Sequence, residues 1–277
     1  MQPGSDIPTA AGDRVLVVIP AWNEQGSVAD TVEEVRSTNP GVDILVVDDG
    51  SSDATAAIAA AAGALVCRLP FNLGVGGAMR AGYRFAVKAG YDAAVQIDAD
   101  GQHDARYLPA LMAGLTASGG EANLVIGARF AGEGDVYRVP PLRRFAMAVL
   151  AKTLSRMAHT RLTDVTSGFR VADRRAMTVF AAHYPAEYLG DTVESTVIAI
   201  RAGCTVRQVP VQMRTRQAGR ASQTSFRAAL YLCRAVVALA LALVRRWPEA
   251  PAPATAPTPV LGSLDEPASA EPAEERT

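Results

Sequence analysis

The sequence predicts an α/β fold in which a mostly parallel, doubly wound sheet is flanked by helices. Short apolar runs rich in β-branched residues alternate with segments of helical spacing, which is the pattern of consecutive βαβ units. The polar clusters of the N-terminal half each follow one of these apolar runs. Ligands bind beyond the carboxyl ends of parallel strands, so the clusters mark the edge where we expect a site.

Apolar runs of a few residues that end at turn residues predict the strands. In chain order they are 15–19, 43–47, 65–69, 93–97, 124–127 and 205–211. Segments that are rich in alanine, or carry apolar residues at helical spacing, predict the helices. In chain order these are 27–37, 53–62, 76–89, 108–117, 142–157 and 192–202, with Ser27 as the N-cap of the first.

The composition indicates a folded chain from a reducing compartment. Of the 277 residues 49% are hydrophobic, and the net charge of −1 argues against sequence-independent binding to nucleic acid. The three cysteines (Cys67, Cys204 and Cys233) are scattered and lack a CxxC spacing, so neither a disulfide framework nor a zinc site is predicted. Residues 1–13 do not resemble a secretory signal, and the site is expected to face the cytoplasm.

Composition divides the chain into four parts. Residues 1–13 are a polar extension, and 14–224 contain the predicted strands and helices in one domain. The mostly apolar segment 225–247 contains Arg234 and predicts a helix lying in a membrane interface, with a membrane span or a helix packed on the domain as alternatives. Residues 248–277 are rich in Pro, Ala and Glu and predict a disordered acidic tail.

Asp98, Asp100 and Gln102 follow the strand predicted at 93–97. Two carboxylates and an amide oxygen at alternate positions can converge on one hard cation, and Mg²⁺ and Mn²⁺ often share such ligands with substrate phosphates. A turn whose carboxylates cap the following helix is the alternative. The pattern alone leaves a divalent-metal site and a structural turn both open.

Two further clusters suit a nucleotide. Asp48 and Asp49 begin a run of polar residues longer than helix capping requires, and a carboxylate there can accept hydrogen bonds from a base or a ribose. In the run that starts at Asn72 and includes Gly77, glycines let backbone N–H groups approach a phosphate at a helix N-terminus. This run has neither Rossmann nor P-loop spacing, so it is a weak signal by itself.

The C-terminal half contains two clusters that suit an acceptor or a phosphate. Segment 164–170 combines an aspartate, hydroxyls and Arg170, and predicts either an acceptor pocket or a surface turn. A basic stretch around Arg216, with Ser222 in it, suits a diphosphate or a lipid phosphate, because arginine forks bind phosphate oxygens in pairs. A solvated loop is the alternative for this stretch.

Six short motifs in this order resemble the family 2 glycosyltransferases with a GT-A fold. More narrowly, they resemble the polyprenyl-phosphate (dolichyl-phosphate) mannose or glucose synthases. The motifs are IPAWNE at 19–24, VDDGS at 47–51, NLGVGGA at 72–78, DADGQH at 98–103, SGFR at 167–170 and the basic stretch 216–222. The resemblance covers about residues 15–223, and implies that 14–224 is a glycosyltransferase domain of GT-A fold.

The resemblance implies a role for each matched position. The nucleotide-sugar site is expected to comprise Pro20, Ala21, Glu24, Asp48, Asp49, Asn72, Gly77, Asp98, Arg170, Arg216 and Ser222. Asp98, Asp100 and Gln102 are expected to hold Mg²⁺ or Mn²⁺ on the donor diphosphate. The catalytic residues are expected to be Asp100, Asp191, Glu194 and Arg216, with Glu194 as the match to a glutamate in the helix before the last core strand. Asp191 lies one turn earlier on the same helix face.

Two sequence details refine this resemblance. The last basic motif carries one extra residue before Ser222 and lacks the family's usual lysine. The Gln-x-x-Arg-Trp motif of processive, polysaccharide-building members does not occur in the catalytic portion, which favours transfer of a single sugar.

The expected reaction is inverting transfer of one hexose from a nucleotide sugar of the GDP-mannose or UDP-glucose type to a polyprenyl phosphate. The enzyme would act at the cytoplasmic face of a membrane, as a peripheral protein or with a membrane-protein partner. A phosphate oxygen is already anionic near neutral pH, whereas a sugar hydroxyl acceptor would need a base, with Asp191 and Glu194 as candidates. Transfer to a sugar hydroxyl of a glycolipid or polysaccharide precursor, and a non-catalytic scaffold, are the alternatives.

Overall fold

The computed structural model describes residues 13–116, 121–129, 141–185 and 191–214. Within these ranges one sheet contains β1 (Val15–Ala21), β2 (Asp43–Asp48), β3 (Leu65–Arg68), β4 (Ala93–Gln96), β5 (Leu124–Ala128), β6 (Arg170–Asp173) and β7 (Val206–Pro210). The helices are α1 (Val28–Thr38), α2 (Thr55–Ala61), α3 (Gly74–Lys88), α4 (Leu108–Thr116), α5 (Pro141–Ala158), α6 (Arg174–His183) and α7 (Asp191–Arg201). A single 3₁₀ turn, Ala105–Tyr107, precedes α4.

The strands lie in the order β3-β2-β1-β4-β6-β5-β7. The first four in this order are parallel, and β5 is parallel to β7. Strand β6 runs antiparallel to both of its neighbours, β4 and β5. As a result Arg170, at the start of β6, pairs with Gln96 at the end of β4. The reversed strand therefore brings the loop before β6 to the edge where the parallel strands end.

Both faces of the sheet are covered, which explains why the central strands are apolar almost throughout. Leu16 and Val18 of β1 pack into a core under α3, α5, α6 and α7, whereas Val17 and Ile19 pack into a core under α1, α2 and α4. The fold therefore has three layers, with the sheet between two helical layers. This confirms the predicted GT-A-type arrangement, a mostly parallel doubly wound sheet flanked by helices.

The predicted strands and helices are all present, with ends that differ by a few residues. Helix α2 begins at Thr55 rather than at Asp53, because the Asp53 carboxylate accepts hydrogen bonds from the Thr55 backbone N–H and hydroxyl. Ser27 precedes α1 but makes no side-chain capping bond, and its hydroxyl donates instead to Glu24 Oε2 at 2.7 Å.

Strand β6 and helix α6 were not predicted from the sequence. Strand β6 has only four residues with an arginine and an aspartate at its ends, so it lacks the apolar run by which buried strands are recognised. Asp173 then caps α6, since its carboxylate accepts a hydrogen bond from the Ala176 N–H. Among the described residues, none of the helices has the length and hydropathy to cross a bilayer. The predicted segments 225–247 and 248–277 lie outside the described residues.

Candidate active site

The loops that follow β1 and β2 are joined by hydrogen bonds into one rigid edge. The Asp49 N–H donates to the Ala21 carbonyl at 2.8 Å, which fixes the end of β2 against the end of β1. The Asn23 N–H donates to Ser51 Oγ at 2.9 Å, and Asn23 Oδ1 accepts from the Ser52 N–H at 2.9 Å. Asn23 has a φ of 55°, a left-handed conformation that asparagine tolerates better than most residues.

Glu24 is held at this edge by two residues. Its backbone N–H donates to Thr55 Oγ1 at 2.9 Å, and its carboxylate accepts from the Ser27 hydroxyl. Pro20 and Ala21, which were predicted beside it, form the last residues of β1. The structure therefore brings Pro20, Ala21 and Glu24 to the predicted edge.

Asp48 and Asp49 stabilise the edge through their carboxylates. Asp48 is fully buried, accepts from the Ser51 N–H at 3.1 Å and pairs with Arg68 at 3.1 Å. Asp49 accepts from the Leu73 N–H at 2.7 Å. Burial raises the pKa of Asp49, although the backbone N–H bonds oppose this. The buried Asp48 carboxylate holds the loop through these bonds, and its predicted nucleotide contact stays a prediction.

The loop from Asn72 to Gly77 closes one side of this edge, and glycines are needed at two points. A Cβ on Gly50, whose φ is 70°, would lie 2.7 Å from the backbone of Phe71. A Cβ on Gly77 would lie 2.4 Å from the Leu73 Cβ, so this glycine is required by packing of the first turn of α3. This contact explains why a glycine stands at position 77, and the predicted approach of its backbone N–H to a phosphate stays a prediction. Asn72 Oδ1 accepts from the Gly74 N–H at 3.1 Å and shapes the turn into α3.

Asp98, Asp100 and Gln102 lie in the loop after β4, at the centre of the same edge. The Asp98 side chain is 37% exposed, and its Oδ1 accepts from Gln96 Nε2 at 3.2 Å. Asp100 is buried and its Oδ1 accepts from the Gln102 N–H at 3.0 Å. The Gln102 carbonyl accepts from the Arg214 N–H at 3.0 Å. The loop thus presents one accessible carboxylate with a second beneath it.

His103 orients Asp98 and was missed by the sequence analysis. The Asp98 backbone N–H donates to His103 Nδ1 at 3.0 Å, so in the neutral ring the proton resides on Nε2, which lies 3.6 Å from Asp98 Oδ2. The ring is buried and stacks on Phe169 with centroids 5.1 Å apart and planes inclined by 16°. The imidazole therefore fixes the backbone of Asp98 and lies beside its carboxylate. Its position directly after the acidic motif was the signal available in the sequence.

The donor set fits a divalent cation that shares its ligands with a substrate. Among the described residues no group of three or more His, Cys, Asp or Glu side chains is arranged to hold a metal ion. Mg²⁺ is usually bound by one or two carboxylates, with substrate phosphates and water as the remaining ligands. Asp98 and Asp100 match this smaller requirement. Gln96 donates to the Asp98 carboxylate, and His103 accepts from the Asp98 backbone N–H.

Arg170 does not face the edge but lies beneath it. Its side chain is fully buried and donates to the Ser167 carbonyl at 2.7 Å and to Ser195 Oγ at 2.9 Å. It also reaches the carbonyl of Thr192, at the start of α7, at 3.3 Å. Arg170 was predicted to bind the donor. In this structure Arg170 joins the loop before β6 to the first turn of α7, and its predicted contact with the donor stays a prediction.

Asp191 is held in the same buried region. Burial raises its pKa to about 6, the positive charge of Arg170 opposes the rise, and the negative charge of Asp98 adds to it. Asp191 and Asp98 are therefore close enough to influence each other electrostatically. Glu194 follows on the same helix and is partly exposed. The structure thus brings Asp191 beside the predicted metal loop.

An ion pair between a half-exposed arginine and a buried carboxylate, which was not predicted from the sequence, shapes the loop before β6. Arg129, just after β5, donates through Nε to Asp164 Oδ2 at 2.7 Å and through Nη2 to Thr166 Oγ1 at 2.9 Å. Burial tends to raise the pKa of Asp164, but the hydrogen bonds and charge of Arg129 outweigh it, and the net pKa is lowered. Asp164 is consequently a fixed anion that structures the predicted acceptor segment.

Arg216 and Ser222 lie outside the described residues, but the start of their segment is placed. Arg214 pairs with Glu34 Oε2 at 2.7 Å and with Asp104 Oδ1 at 3.0 Å, beside the loop that carries Asp100 and Gln102. The described chain therefore ends against the predicted metal loop.

The sheet order and this acidic edge define the chain as a glycosyltransferase of GT-A fold. Glucosyl-3-phosphoglycerate synthase from Mycobacterium tuberculosis, solved with Mn²⁺, UDP and phosphoglyceric acid, shares the fold with a TM-score of 0.64. Its sequence is 22% identical, and the match covers 84% of this chain and 80% of that chain. The family model described as "Glycosyl transferase family 2" matches residues 16–180. The chain belongs to this family.

Curated relatives include two enzymes named for lipid phosphates. The chain is 32% identical to an undecaprenyl-phosphate mannosyltransferase from Micrococcus luteus, over 84% of this chain and 93% of that protein. It is also 32% identical to a polyprenol monophosphomannose synthase from Mycolicibacterium smegmatis, over 74% of this chain and 79% of that protein. These matches confirm the resemblance that the sequence motifs indicated.

Proposed function

We propose that this enzyme transfers a single hexose from a nucleotide-sugar donor to a polyprenyl phosphate, at the cytoplasmic face of a membrane. The polyprenyl phosphate acceptor is proposed from one observation. The chain is 32% identical to a relative named as an undecaprenyl-phosphate mannosyltransferase, over 93% of the length of that protein. A donor of the GDP-mannose or UDP-glucose type is proposed because both lipid-phosphate relatives are named for mannose, and the solved neighbour was crystallised with UDP.

A divalent cation, Mg²⁺ or Mn²⁺, is part of this proposal. Asp98 and Asp100 would hold it, with Gln102 close to them in the same loop. A bound cation would supply charge neutralisation for the departing nucleoside diphosphate. The solved neighbour contains Mn²⁺, which supports this assignment.

The residues of the edge would position the donor. Pro20, Ala21 and Glu24 would line the base and ribose, since β1 ends there and Glu24 is held by Thr55 and Ser27. Asp49 would bound the same space from the β2 side, where it also fixes the loop before α3. Holding the donor rigidly matters because orientation of the reacting groups supplies much of the rate enhancement.

In the proposed step a phosphate oxygen of the acceptor attacks the anomeric carbon as the bond to the diphosphate oxygen breaks, with inversion. The attacking oxygen is already ionised near neutral pH, so no side chain has to remove a proton. Arg216 and Ser222 are proposed to bind phosphate oxygens. Asp191 and Glu194 would shape the acceptor side in this scheme, whereas a hydroxyl acceptor would require one of them as the base.

The proposal is tested by following labelled sugar from UDP- and GDP-sugars into a short polyprenyl phosphate, with Mg²⁺ or Mn²⁺. We expect an acid-labile labelled lipid that is lost on chelation and in Asp100→Ala. Glu121→Ala is the matched control, because Glu121 is an exposed carboxylate before β5, at the opposite edge of the sheet. No lipid product from any donor would refute the lipid acceptor. Metal-dependent donor hydrolysis in that case would point to a sugar hydroxyl acceptor instead.

A further inference from the structure

Helices α3 and α6 form a basic surface on one side of the sheet. Together they carry five cationic side chains, Arg80, Arg84, Lys88, Arg174 and Arg175, and no aspartate or glutamate. This is unusual in a chain whose formal net charge is −1. Arg174 is paired with Asp92 at 2.9 Å, so the local positive potential that the net charge conceals arises mainly from the three cations of α3.

A groove of about 630 Å³ runs between these helices. Arg80, Arg84 and Lys88 line it from α3, at the four-residue spacing that places side chains on one helix face. The rest of the lining is Thr178 and four apolar side chains, those of Phe85, Val87, Ala181 and Ala182. The groove therefore combines a row of cations with an apolar wall.

The cations of this row differ in what they already bind. Arg80 donates to the carbonyls of Ala181 and Ala182 at the end of α6, with Nη2 2.7 Å from the Ala182 oxygen. Arg84 and Lys88 are exposed, and neither forms a hydrogen bond or ion pair within the described part of the chain. Two adjacent cations are thus available to an external anion, beside an arginine that fixes the groove wall.

A third helix of the same layer adds further exposed cations. Helix α5 packs into the same core as α3 and α6, and carries exposed Lys152 and Arg156, with Val149 41% exposed. On the opposite layer α1 carries Asp30, Glu33 and Glu34 with Arg36 as its basic residue. Within the described part of the chain, cations therefore outnumber carboxylates on α3, α5 and α6, whereas carboxylates outnumber cations on α1.

We infer that the groove between α3 and α6 docks the enzyme on a membrane by binding anionic phospholipid headgroups. The arginine and lysine side chains suit phosphate oxygens, and the apolar wall suits the glycerol and acyl region below them. A nucleic acid would not use the apolar wall. The inference deepens the proposed function and rests on it for its purpose, since a lipid acceptor must be reached at a membrane.

The position of the groove agrees with this assignment. Ala182 lies at the end of α6, and Arg80 fixes that end to α3. Soon after α6 the chain reaches Asp191 at the start of α7, beside the metal loop. The Ala182 end of the groove therefore lies near the edge that carries the candidate site, and Arg84 and Lys88 follow along α3 toward the opposite edge, where β4 begins.

The test measures partition of the full chain onto vesicles of phosphatidylcholine, with or without phosphatidylglycerol. The variant is Arg84→Gln with Lys88→Gln, which keeps good helix formers at both exposed positions. The matched control is Ala57→Glu with Ala60→Glu, which changes the net charge equally at exposed positions of α2 in the opposite layer. A cation near an anionic surface contributes about fivefold to binding, so losing two should weaken partition roughly thirtyfold.

We expect this loss with phosphatidylglycerol vesicles only, and near-normal partition for the control. Unchanged partition of the glutamine variant, or an equal loss in the control, would overturn the docking assignment and leave the groove to another partner, such as the acidic residues 248–277. Sugar transfer to a short polyprenyl phosphate in detergent should be unaffected by the glutamine pair. Absence of transfer in every variant would refute the proposed function, while the vesicle result would still decide the role of the groove.

Discussion

Replacing His103 separates its two contacts, because different substitutions keep one and remove the other. His103→Phe keeps a ring to stack on Phe169 but removes the nitrogen that accepts the Asp98 N–H at 3.0 Å. His103→Asn keeps an acceptor near the position of Nδ1 and removes the stacked ring. Comparing the two variants shows which contact controls the placement of Asp98.

The expected magnitudes follow from these contacts. A buried N–H left without its acceptor costs about 1–3 kcal/mol, and an aromatic pair contributes about 0.5–1.5 kcal/mol beyond its buried area. Both variants should therefore unfold at lower urea concentration than the wild type. Groups that orient a metal-binding side chain typically change metal affinity or activity by about 10–100-fold, so we expect His103→Phe to raise the half-saturating Mn²⁺ concentration by that factor.

The assay titrates Mn²⁺ into the sugar-transfer reaction at saturating donor, together with urea unfolding in chelator. We expect His103→Phe to show the raised Mn²⁺ requirement, and His103→Asn to show mainly lost stability. Equal Mn²⁺ requirements in wild type and His103→Phe would refute the idea that the Nδ1 contact positions Asp98. A shifted requirement in His103→Asn alone would assign the placement to the stack on Phe169.

Asp191, Arg170 and Gly50 each allow one further prediction about stability. The raised pKa of Asp191, about 6, means that the folded protein retains a proton that the unfolded chain loses between about pH 4 and 6. Stability in chelator should therefore fall by up to about 3 kcal/mol as pH rises through that window, and urea unfolding of Asp191→Asn should lack this fall. Arg170→Met should cost about 3–5 kcal/mol in urea unfolding, because four buried acceptor contacts are lost, and Arg201→Met, at an exposed site, should not. Gly50→Ala should destabilise by about 1–3 kcal/mol, since its φ is 70° and Phe71 blocks the Cβ, whereas Gly41→Ala meets no atom within 4 Å and should be near neutral.

The parallel half of the fold could be predicted because its strands are continuous apolar runs with polar residues after them. Strand β1 is buried along nearly its whole length, and the motif containing Asp98 follows β4 as the pattern requires. Strand β6 could not be found in this way. It gains stability from pairing with β4 and β5 on both sides, and such long-range pairing leaves no local periodicity in four residues.

The candidate site was predictable in location but less so in the role of each side chain. The motifs identified Asp98 and Asp100, but charge alone could not show that Asp48 and Arg170 are fully buried. Both side chains form hydrogen bonds of the expected kind, but their partners are backbone and side-chain groups of the protein itself. Likewise Arg129 could not be linked to Asp164 from sequence, because the pair joins two loops that meet only in the folded sheet.

The reversed central strand also constrains the order in which the enzyme can mature during synthesis. Until β6 leaves the ribosome, the side of β4 that faces away from β1 is unpaired, and unpaired strand edges readily join other strands. Ala93 finds its partner only when Asp173 is available. A nascent chain that stops after β5 would therefore expose an aggregation-prone strand edge along β4, which leads into the loop that carries Asp98. The ribosome must therefore synthesise β6 before the unpaired side of β4 is covered and protected from aggregation.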